Sequence, residues 1–268
     1  MRLKITHVTK YTYDQPVHYA LQQLRLVPRT GHGQQVLEWS TSITGGTRQV
    51  TFEDQFVNHT ELVKVDPGVQ EIEIVSEGLV ETVDRQGVLG AHQGCAPLWL
   101  FKEPTAFTAP GPQIRQFARK LKAGLSDSEA LDQAHKLSDA IAGAVRYQAG
   151  TTNSTTTAEA ALTAGQGVCQ DHAHIMISVA RLMGYAARYV SGYLKMDGQD
   201  EQEASHAWCE IWVDGLGWVG FDVSNEVCPD DRYVRVAVGR DYRDAAPIHG
   251  IRQGSGQESL HVALQIQQ

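Results

Sequence analysis

Apolar and polar residues alternate with a period of two along most of the first third of the chain. Such alternation, rich in β-branched residues, is typical of strands that bury one face. Turn signals separate the runs at Gly45-Gly46 and at Asp66-Pro67-Gly68. The pattern predicts an N-terminal β-sandwich over residues 1–93. The runs that carry it are LKITHVTKYTY, VLEWSTSI, RQVTF and VQEIEIVSEGLVETV.

The pattern changes at residues 94–112, where four prolines interrupt the chain. We interpret this stretch as an extended linker. Beyond it, the spacing of the apolar residues becomes helical. Pro112 suits a first helical position and Gly124 suits a stop, which predicts one helix between them. Ser126 and Glu129 form a capping-box pattern, which predicts the start of a second helix.

Helical and strand-like patterns follow one another over residues 113–268. A helix of about fourteen residues is predicted to begin near Cys169 and to end at Gly184. Helices followed by antiparallel-looking strands indicate an α+β domain. The strand-like runs are AARYVSGYL, HAWCEIWV, GWVGFDV and LHVALQI.

Charge and composition narrow the possible partners. The chain has 268 residues and a formal net charge of −8, without a cluster of Lys and Arg, so we expect no nucleic-acid partner. No run approaches the ~20 apolar residues of a membrane helix, and the N-terminus lacks the apolar core of a signal peptide. We therefore expect no membrane partner. Four cysteines are too few for a disulfide scaffold, which favours free thiols and a cytoplasmic location. They are Cys95, Cys169, Cys209 and Cys228.

The segment GQGVCQDHAHIMISVARLMG places a cysteine at a predicted helix start. Gly165 and Gly167 allow a tight turn into the helix, so Cys169 falls in its first turn. The amides and dipole of a helix N-terminus favour negative charge, and they therefore favour the thiolate that a cysteine nucleophile requires. The alternative is a small buried side chain without chemistry, which is what a cysteine taken alone usually is.

The segment SHAWCEIWVDGLGWVGFDVSN supplies a base and a group to orient it. If it forms a strand, His206 and Trp208 share one face, which we interpret as a cleft wall. Asp214-Gly215 is a hairpin signal. Sixteen positions separate His206 from Asp222, with the turn near the midpoint, so the hairpin brings the aspartate close to the histidine. The alternative is an ordinary hairpin in which both residues are structural or solvated.

These motifs resemble the core of bacterial transglutaminase-like cysteine peptidases. In that family the Cys of G-x-C-x-D is the nucleophile, the His of H-A-W is the base and the Asp of G-F-D orients it. The resemblance implies these roles for Cys169, His206 and Asp222. It also implies a papain-like core, with the nucleophile helix packed on an antiparallel sheet. ITHVTKYTYDQPV, RLVPR and DQFVN resemble the N-terminal domain of the bacterial members, and RYVRVAVGRDYRDAAP resembles part of their core.

The chain departs from the family pattern at three positions. His172 stands where the family often has an aromatic residue, Val57 where it often has glycine, and Ser224 where threonine is more usual. None of these removes a member of the triad. The effect of His172 on the pocket leaves the substrate open.

The function that these residues predict is acyl transfer from an amide or peptide bond through a thioester, without a cofactor. Its substrate would be a peptide or protein amide, and hydrolysis is favoured because the resemblance is to peptidase-like members. One alternative is a transglutaminase that passes the acyl group to an amine. Another is a non-catalytic binding module on the same fold. The oligomeric state is left open.

A zinc site is a further alternative, because cysteine and histidine are common zinc ligands. His172 and His174 lie two apart on a helix and point in different directions, and His206 and Cys209 lie on opposite faces of a strand. We therefore expect no metal.

Further residues are predicted to bind substrate or to support the site. Tyr147, Trp208 and Asp241 are candidate substrate-binding residues. Asn225 is expected to hold the turn after Asp222, and His174 to pack the helix.

Overall fold

Long antiparallel strands occupy the N-terminal part of the chain, as the alternation predicts. The computed structural model of the protein describes residues 1–124, 129–202, 204–253 and 256–268. The strands are β1 (Arg2–Tyr13), β2 (Tyr19–Leu24), β3 (Gln34–Thr44), β4 (Gly46–Glu53), β5 (His59–Val65), β6 (Glu71–Thr82), β7 (Val88–Gly90), β8 (Arg146–Tyr147), β9 (Gln166–Gly167), β10 (Ala187–Leu194), β11 (Glu201–Gln202), β12 (His206–Val213), β13 (Gly217–Phe221), β14 (Tyr233–Gly239), β15 (Ile248–Gln253) and β16 (Glu258–Gln267).

The predicted helices are present. The structure has α1 (Pro112–Ala123), α2 (Ala130–Ala144), α3 (Ala158–Ala164) and α4 (Cys169–Leu182). It also has the short helix α5 (Tyr242–Ala245) and a 3-10 turn at Leu98–Lys102, which the sequence patterns did not predict. Pro112 opens α1 and Gly124 caps its end, as predicted. Glu129 precedes α2, whereas Ser126 lies outside the described residues. No helix among the described residues is long and apolar enough to cross a membrane.

Two antiparallel sheets in the N-terminal region share one hydrophobic core. The five-stranded N-terminal sheet has the order β11-β16-β1-β6-β3, and the four-stranded N-terminal sheet has the order β15-β2-β5-β4. Side chains from both sheets meet in a single buried cluster, which stabilises the pair by removing apolar surface from water. The cluster includes Tyr13, Ala20, Leu24, Val63, Val65, Ile72 and Ile74.

The strand pairing differs from the predicted boundaries of residues 1–93 and 113–268. β15 and β16 follow the core in sequence, but they pair with β2 and β1 of the N-terminal sheets. β7 belongs to the N-terminal stretch, but it pairs with β13 in the core. Order along the chain does not determine strand pairing. The apolar face of β16, with Leu264 and Ile266, is buried against Leu3 and Ile5 of β1.

The core consists of the sheet β14-β10-β12-β13-β7 with helices on one side. Ala207, Cys209 and Ile211 of β12 lie in the same buried cluster as Ala173 and Ile177 of α4. The α4 helix is therefore held on this face of the sheet, and its first turn lies beside the beginning of β12.

Residues 94–112 are not an open linker. Phe101 is buried in a cluster with Trp208 and Trp218 on the other face of the core sheet. Arg181 of α4 donates from Nε to the Phe101 carbonyl (2.9 Å) and from Nη1 to Thr108 Oγ1 (2.7 Å). Apart from the 3-10 turn at Leu98–Lys102, the segment has no regular structure before α1, but it is packed on the core, and it connects the two faces of the core sheet.

Val57, one of the three departures from the family pattern, has a φ of +67°. This left-handed region favours glycine and is strained for a β-branched residue. The glycine that the family often carries at this position is therefore explained by the backbone.

Candidate functional site

The turn that leads into α4 is tightly packed, and two of its positions require glycine. Gly165 ends α3 with a φ of +65°. A Cβ at Gly167 would lie 2.7 Å from Asp171 side-chain atoms, so only glycine fits. Asp171 Oδ2 accepts hydrogen bonds from the Val168 amide (2.8 Å) and from Thr152 Oγ1 (2.7 Å). These contacts fix the first turn of the helix.

Cys169 is the first residue of α4, and its side chain is half-buried. The first four amides of an α-helix have no partner within the helix, and the dipole adds positive potential there. A thiolate at this position, or an oxyanion formed beside it, is therefore stabilised.

The β12–β13 hairpin brings His206 and Asp222 together. Its register pairs Cys209 with Phe221, so Asp222 follows the end of β13 beside the beginning of β12. His206 Nε2 lies 2.6 Å from Asp222 Oδ2. This leaves Nδ1 as the ring nitrogen that can face Cys169, and both residues line the same cleft. The three predicted site residues thus form one connected row.

The carboxylate of Asp222 is held by more than the histidine. Its Oδ1 accepts from the amides of Ser224 (3.0 Å) and Asn225 (3.3 Å). Its Oδ2 also accepts from Asn225 Nδ2 and from the Tyr233 hydroxyl, both at 2.7 Å. Asn225 thus holds the turn after Asp222. Such a set of donors fixes both the position and the charge of the carboxylate.

The charges of this pair follow from their surroundings. Burial alone would lower the pKa of His206, but hydrogen bonds and charge interactions with Asp222 and Cys169 raise it to about 10. Burial alone would raise the pKa of Asp222, but the hydrogen bond and charge of His206 hold it below the usual range. The site therefore favours an imidazolium beside a carboxylate at neutral pH.

A cleft of about 1030 Å³ opens over Cys169 and His206. One wall comes from the core and the other from the N-terminal sheets. The lining residues are Thr6, Val8, Tyr147, Ala149, Val168, Cys169, Gln170, Tyr189, Ser191, Met196, Gln199, Glu201, Gln202, Ala204, Ser205, His206, Ala207, Tyr242, Pro247, His261, Val262, Ala263, Leu264 and Gln265.

The three candidate substrate-binding residues differ in position. Tyr147 lines the cleft and is exposed. Trp208 shares the His206 face of β12, but it is 3% exposed and packs against Tyr233 away from the cleft. Trp208 does not line the cleft in the structure, because its side chain is buried in the hydrophobic cluster on the other face of the core sheet.

Asp241 does not line the cleft either. It is buried and caps α5, accepting from the Arg243 amide at 2.8 Å. The neighbouring residue, Tyr242, faces the cleft instead. A serine, threonine, asparagine or aspartate before a short helix is a capping signal, and that signal identifies the role of Asp241.

The other histidines of α4 have separate surroundings. His172 Nδ1 lies 2.7 Å from Ser224 Oγ, and its Nε2 lies 2.9 Å from the Val145 carbonyl. His174 is fully buried, and its Nε2 accepts from the Tyr242 amide (3.1 Å). Within the described ranges, no group of three or more His, Cys, Asp or Glu is placed to hold a metal ion.

Sequence reasoning missed three contributors to the site. Tyr233 binds Asp222, Tyr242 lines the cleft, and β16 forms much of the second wall. Tyr242 is the neighbour of Asp241, so the sequence prediction for this part of the cleft differed from the structure by one position. The run LHVALQI predicted β16 as a strand, but no local signal placed it or Tyr233 at the site, because each reaches the site through long-range pairing.

The chain belongs to the transglutaminase-like superfamily. The family model for the transglutaminase-like superfamily matches residues 115–223, and the model for the bacterial transglutaminase-like N-terminal region matches residues 3–81.

Relatives and structures agree with this assignment. An uncharacterized protein of Mycobacterium leprae is 30% identical over 285 residues, covering 99% of this chain and 98% of the relative. One of Mycobacterium tuberculosis is 28% identical over 282 residues, covering 97% and 90%. The crystal structure of "a Putative Cysteine Protease from Cytophaga hutchinsonii" superposes with a TM-score of 0.76 at 23% identity, covering 99% of this chain and 90% of that one. The last comparison shows that the fold is shared.

Proposed function

We propose that the protein is a cysteine-dependent hydrolase of amide or peptide bonds, with Cys169 as nucleophile, His206 as base and acid, and Asp222 as the group that orients the histidine. The observation that carries the proposal is the connected row of these side chains at the floor of a large cleft. A nucleophile, its base and an orienting group in hydrogen-bond contact are the requirement for this chemistry.

The reaction has two halves. The Cys169 thiolate attacks the carbonyl carbon, a C–S bond forms, and the carbonyl electron pair moves to oxygen beside the α4 amides. When the carbonyl re-forms, the C–N bond breaks and His206 donates its proton to the leaving amine. Water then loses a proton to His206 and attacks the thioester. The C–S bond breaks, so the acid is released and the thiolate returns beside the imidazolium.

Asp222 contributes by position and charge. With Nε2 of His206 bound to the carboxylate, Nδ1 is directed towards the sulfur. The negative charge also stabilises the imidazolium that accompanies the thiolate. The substrate we infer is a peptide or protein amide, since a cleft of about 1030 Å³ lies over Cys169 and His206.

Hydrolysis is favoured over transfer to an amine because the side chain of Cys169 is only half-buried, which gives water a path to the thioester. A panel of peptide amides, incubated with and without a primary amine and analysed by mass spectrometry, tests this. We expect the free acid as product in both conditions. An amine-coupled product would assign the protein as a transglutaminase instead.

Cysteine labelling provides a test that needs no substrate. Cys95 is exposed and has no histidine partner, whereas Cys169 is half-buried and has one. If exposure decided reactivity, iodoacetamide would modify Cys95 first. A thiolate–imidazolium pair reverses that order at mildly acidic pH, since an ordinary thiol is protonated there. We expect Cys169 to be modified first near pH 6, as located by peptide mapping. Slower labelling at Cys169 than at Cys95 would favour a non-catalytic module.

A further inference from the structure

The second wall of the cleft is built largely by β1 and β16, which lie outside the transglutaminase-like core match at residues 115–223. β16 covers residues 258–267, outside both regions that the family models match, 3–81 and 115–223. It pairs with β1 and with the short edge strand β11. The cleft therefore depends on the return of the C-terminus to the N-terminal sheet.

The strand period separates a buried face from a face towards the cleft. On β16, Leu264 and Ile266 are buried, whereas His261, Ala263 and Gln265 are exposed. Directly paired residues of antiparallel strands point to the same side. Val8 pairs with Ala263 and Thr6 pairs with Gln265, and all four line the cleft. With His261 they form one continuous strip, which we call the β1–β16 strip.

The cleft has few ionisable side chains. A fifth of the chain is charged, but no lysine or arginine is among the described residues that line it. Among the described lining residues other than Cys169, His206 and the tyrosines, only Glu201 and His261 are ionisable. The remaining polar groups are mainly amides and hydroxyls, among them Gln170, Gln199 and Gln265. Away from His206, such a surface has no lysine or arginine among its described residues to pair with a substrate carboxylate.

The size of the cleft points in the same direction. Pockets for single small molecules have volumes of roughly 300–1000 Å³, and this cleft has about 1030 Å³. It therefore has room for several residues of an extended chain.

We propose that the β1–β16 strip is a specificity-determining surface that holds an uncharged, extended polypeptide segment against Cys169, so that the N-terminal sheets form half of the substrate site. The proposal rests on the proposed function, and it names the substrate class: an internal amide or peptide bond within a neutral segment. The side chains of the strip can pack against uncharged substrate side chains. Because the cleft has few charged groups, acidic and basic substrate side chains are disfavoured.

The test compares Ala263→Trp with Ser259→Trp. Both positions are exposed on β16, and because they are four residues apart their side chains lie on the same face of the strand. Ser259, however, lies outside the cleft. The substrates are neutral peptides selected from a library that the wild-type protein cleaves, and the same peptides with Asp or Lys beside the cleavage point. Circular dichroism verifies folding, and iodoacetamide labelling of Cys169 reports on the reacting group separately.

We expect Ala263→Trp to lower kcat/KM for neutral peptides about tenfold or more, chiefly through KM, because the indole occupies the strip. Ser259→Trp should stay within about twofold of wild type, and both variants should label at Cys169 at rates within about twofold of wild type. A second variant, Gln265→Arg, adds a cation to the cleft. It should raise the relative kcat/KM of the Asp-containing peptide about fivefold or more.

The outcomes separate the two proposals. If wild-type Cys169 shows no enhanced labelling and no peptide is cleaved, the proposed function fails. If labelling and cleavage are present but Ala263→Trp matches Ser259→Trp and Gln265→Arg leaves the preference unchanged, the function stands and the role of the strip is overturned. Preference of the wild-type protein for charged peptides would overturn it as well.

Discussion

The cleft floor and the interior of the core each contain a histidine and a cysteine, and their chemistry is opposite. His206 at the cleft floor is 8% exposed and His174 in the interior is 0% exposed, so exposure hardly distinguishes them. The pKa of His206 is nevertheless raised to about 10, and the pKa of His174 is lowered to about 3.

The partners account for the difference. His206 has a carboxylate at 2.6 Å. His174 lies between the rings of Phe107 and Tyr189 and accepts one backbone hydrogen bond. Burial lowers the pKa of an imidazole, and a buried carboxylate reverses that effect. The two cysteines also differ in their surroundings: Cys169 begins a helix and lines the cleft with His206, whereas burial raises the pKa of Cys209 in the interior. A histidine and a cysteine therefore form a reactive site only where neighbouring groups stabilise their charged forms.

Cys169→Ala gives the largest expected effect. The nucleophile is removed, so no thioester forms and activity should fall to the uncatalysed background. Amide hydrolysis with the peptide panel measures it. The fold should be unaffected, because the side chain is half-buried at a helix start. Full activity in this variant would end the assignment of Cys169.

His206→Ala should be nearly as severe. The thiol loses its proton acceptor and the cation that stabilises its thiolate, while the helix dipole remains. We expect activity close to background and slow iodoacetamide labelling of Cys169 near pH 6. Labelling at the wild-type rate would show that the helix N-terminus alone activates the sulfur.

Asp222→Asn should reduce activity about ten- to a thousandfold, since the variant keeps a hydrogen-bonding group but loses the charge and can hold the wrong tautomer. The sign of the pH effect follows from the raised pKa of His206. An imidazolium with a raised pKa persists to higher pH, and removal of the carboxylate lets that pKa fall. The alkaline limb of the kcat/KM profile should therefore move to lower pH. An unchanged alkaline limb would separate Asp222 from the titration of His206.

His174→Phe tests the interior histidine through stability. The ring packing between Phe107 and Tyr189 is retained, but the acceptor for the Tyr242 amide is lost, which costs about 1 kcal/mol. Because the folded pKa of His174 is about 3 and the unfolded value is 6.5, only the unfolded state binds the proton between those values. The wild-type protein thus loses stability as pH falls below 6.5. The phenylalanine variant has no imidazole at this position, so it does not show this loss.

Thermal unfolding at pH 7.5 and pH 5 checks the expectation. The Tm of His174→Phe should lie below wild type at the higher pH, and the gap should narrow or reverse at the lower pH. A gap that is independent of pH would mean that the pKa of His174 is the same in the folded and unfolded states, and a gap that widens at pH 5 would mean that His174 is charged in the folded protein.

Features encoded locally could be predicted from the sequence. The helix over Pro112–Ala123 has its own start and stop residues, and α4 begins at Cys169 and ends before Gly184, as its glycines and apolar spacing indicate. The hairpin turn at Asp214-Gly215 also has a local signal. These elements carry Cys169 and His206, so the nucleophile and the base could be proposed before their geometry was known.

Features that depend on distant pairing could not be predicted in the same way. β2 and β5 were missed because buried polar residues, including Gln22 and Glu61, interrupt their alternation. β16 was assigned to the core because it follows the core in sequence, although its partner is β1. Tyr233 had no signal at all, since it contacts Asp222 only through the pairing of β14 with β10.

Cys209→Ala and Cys95→Ala should have the smallest effects on activity. Both rates should stay within a few fold of wild type, because neither cysteine lines the cleft. The two variants should still differ in stability. Cys209 is 0% exposed and packs among Ala207, Ile211 and α4, so losing its sulfur leaves a small void that costs about 1 kcal/mol. Cys95 is exposed, and its removal should leave Tm unchanged. Activity assays and thermal unfolding of both proteins make the comparison. Loss of activity in Cys209→Ala, with Cys169→Ala still active, would move the nucleophile from the cleft floor to the interior and reverse the contrast between the two regions.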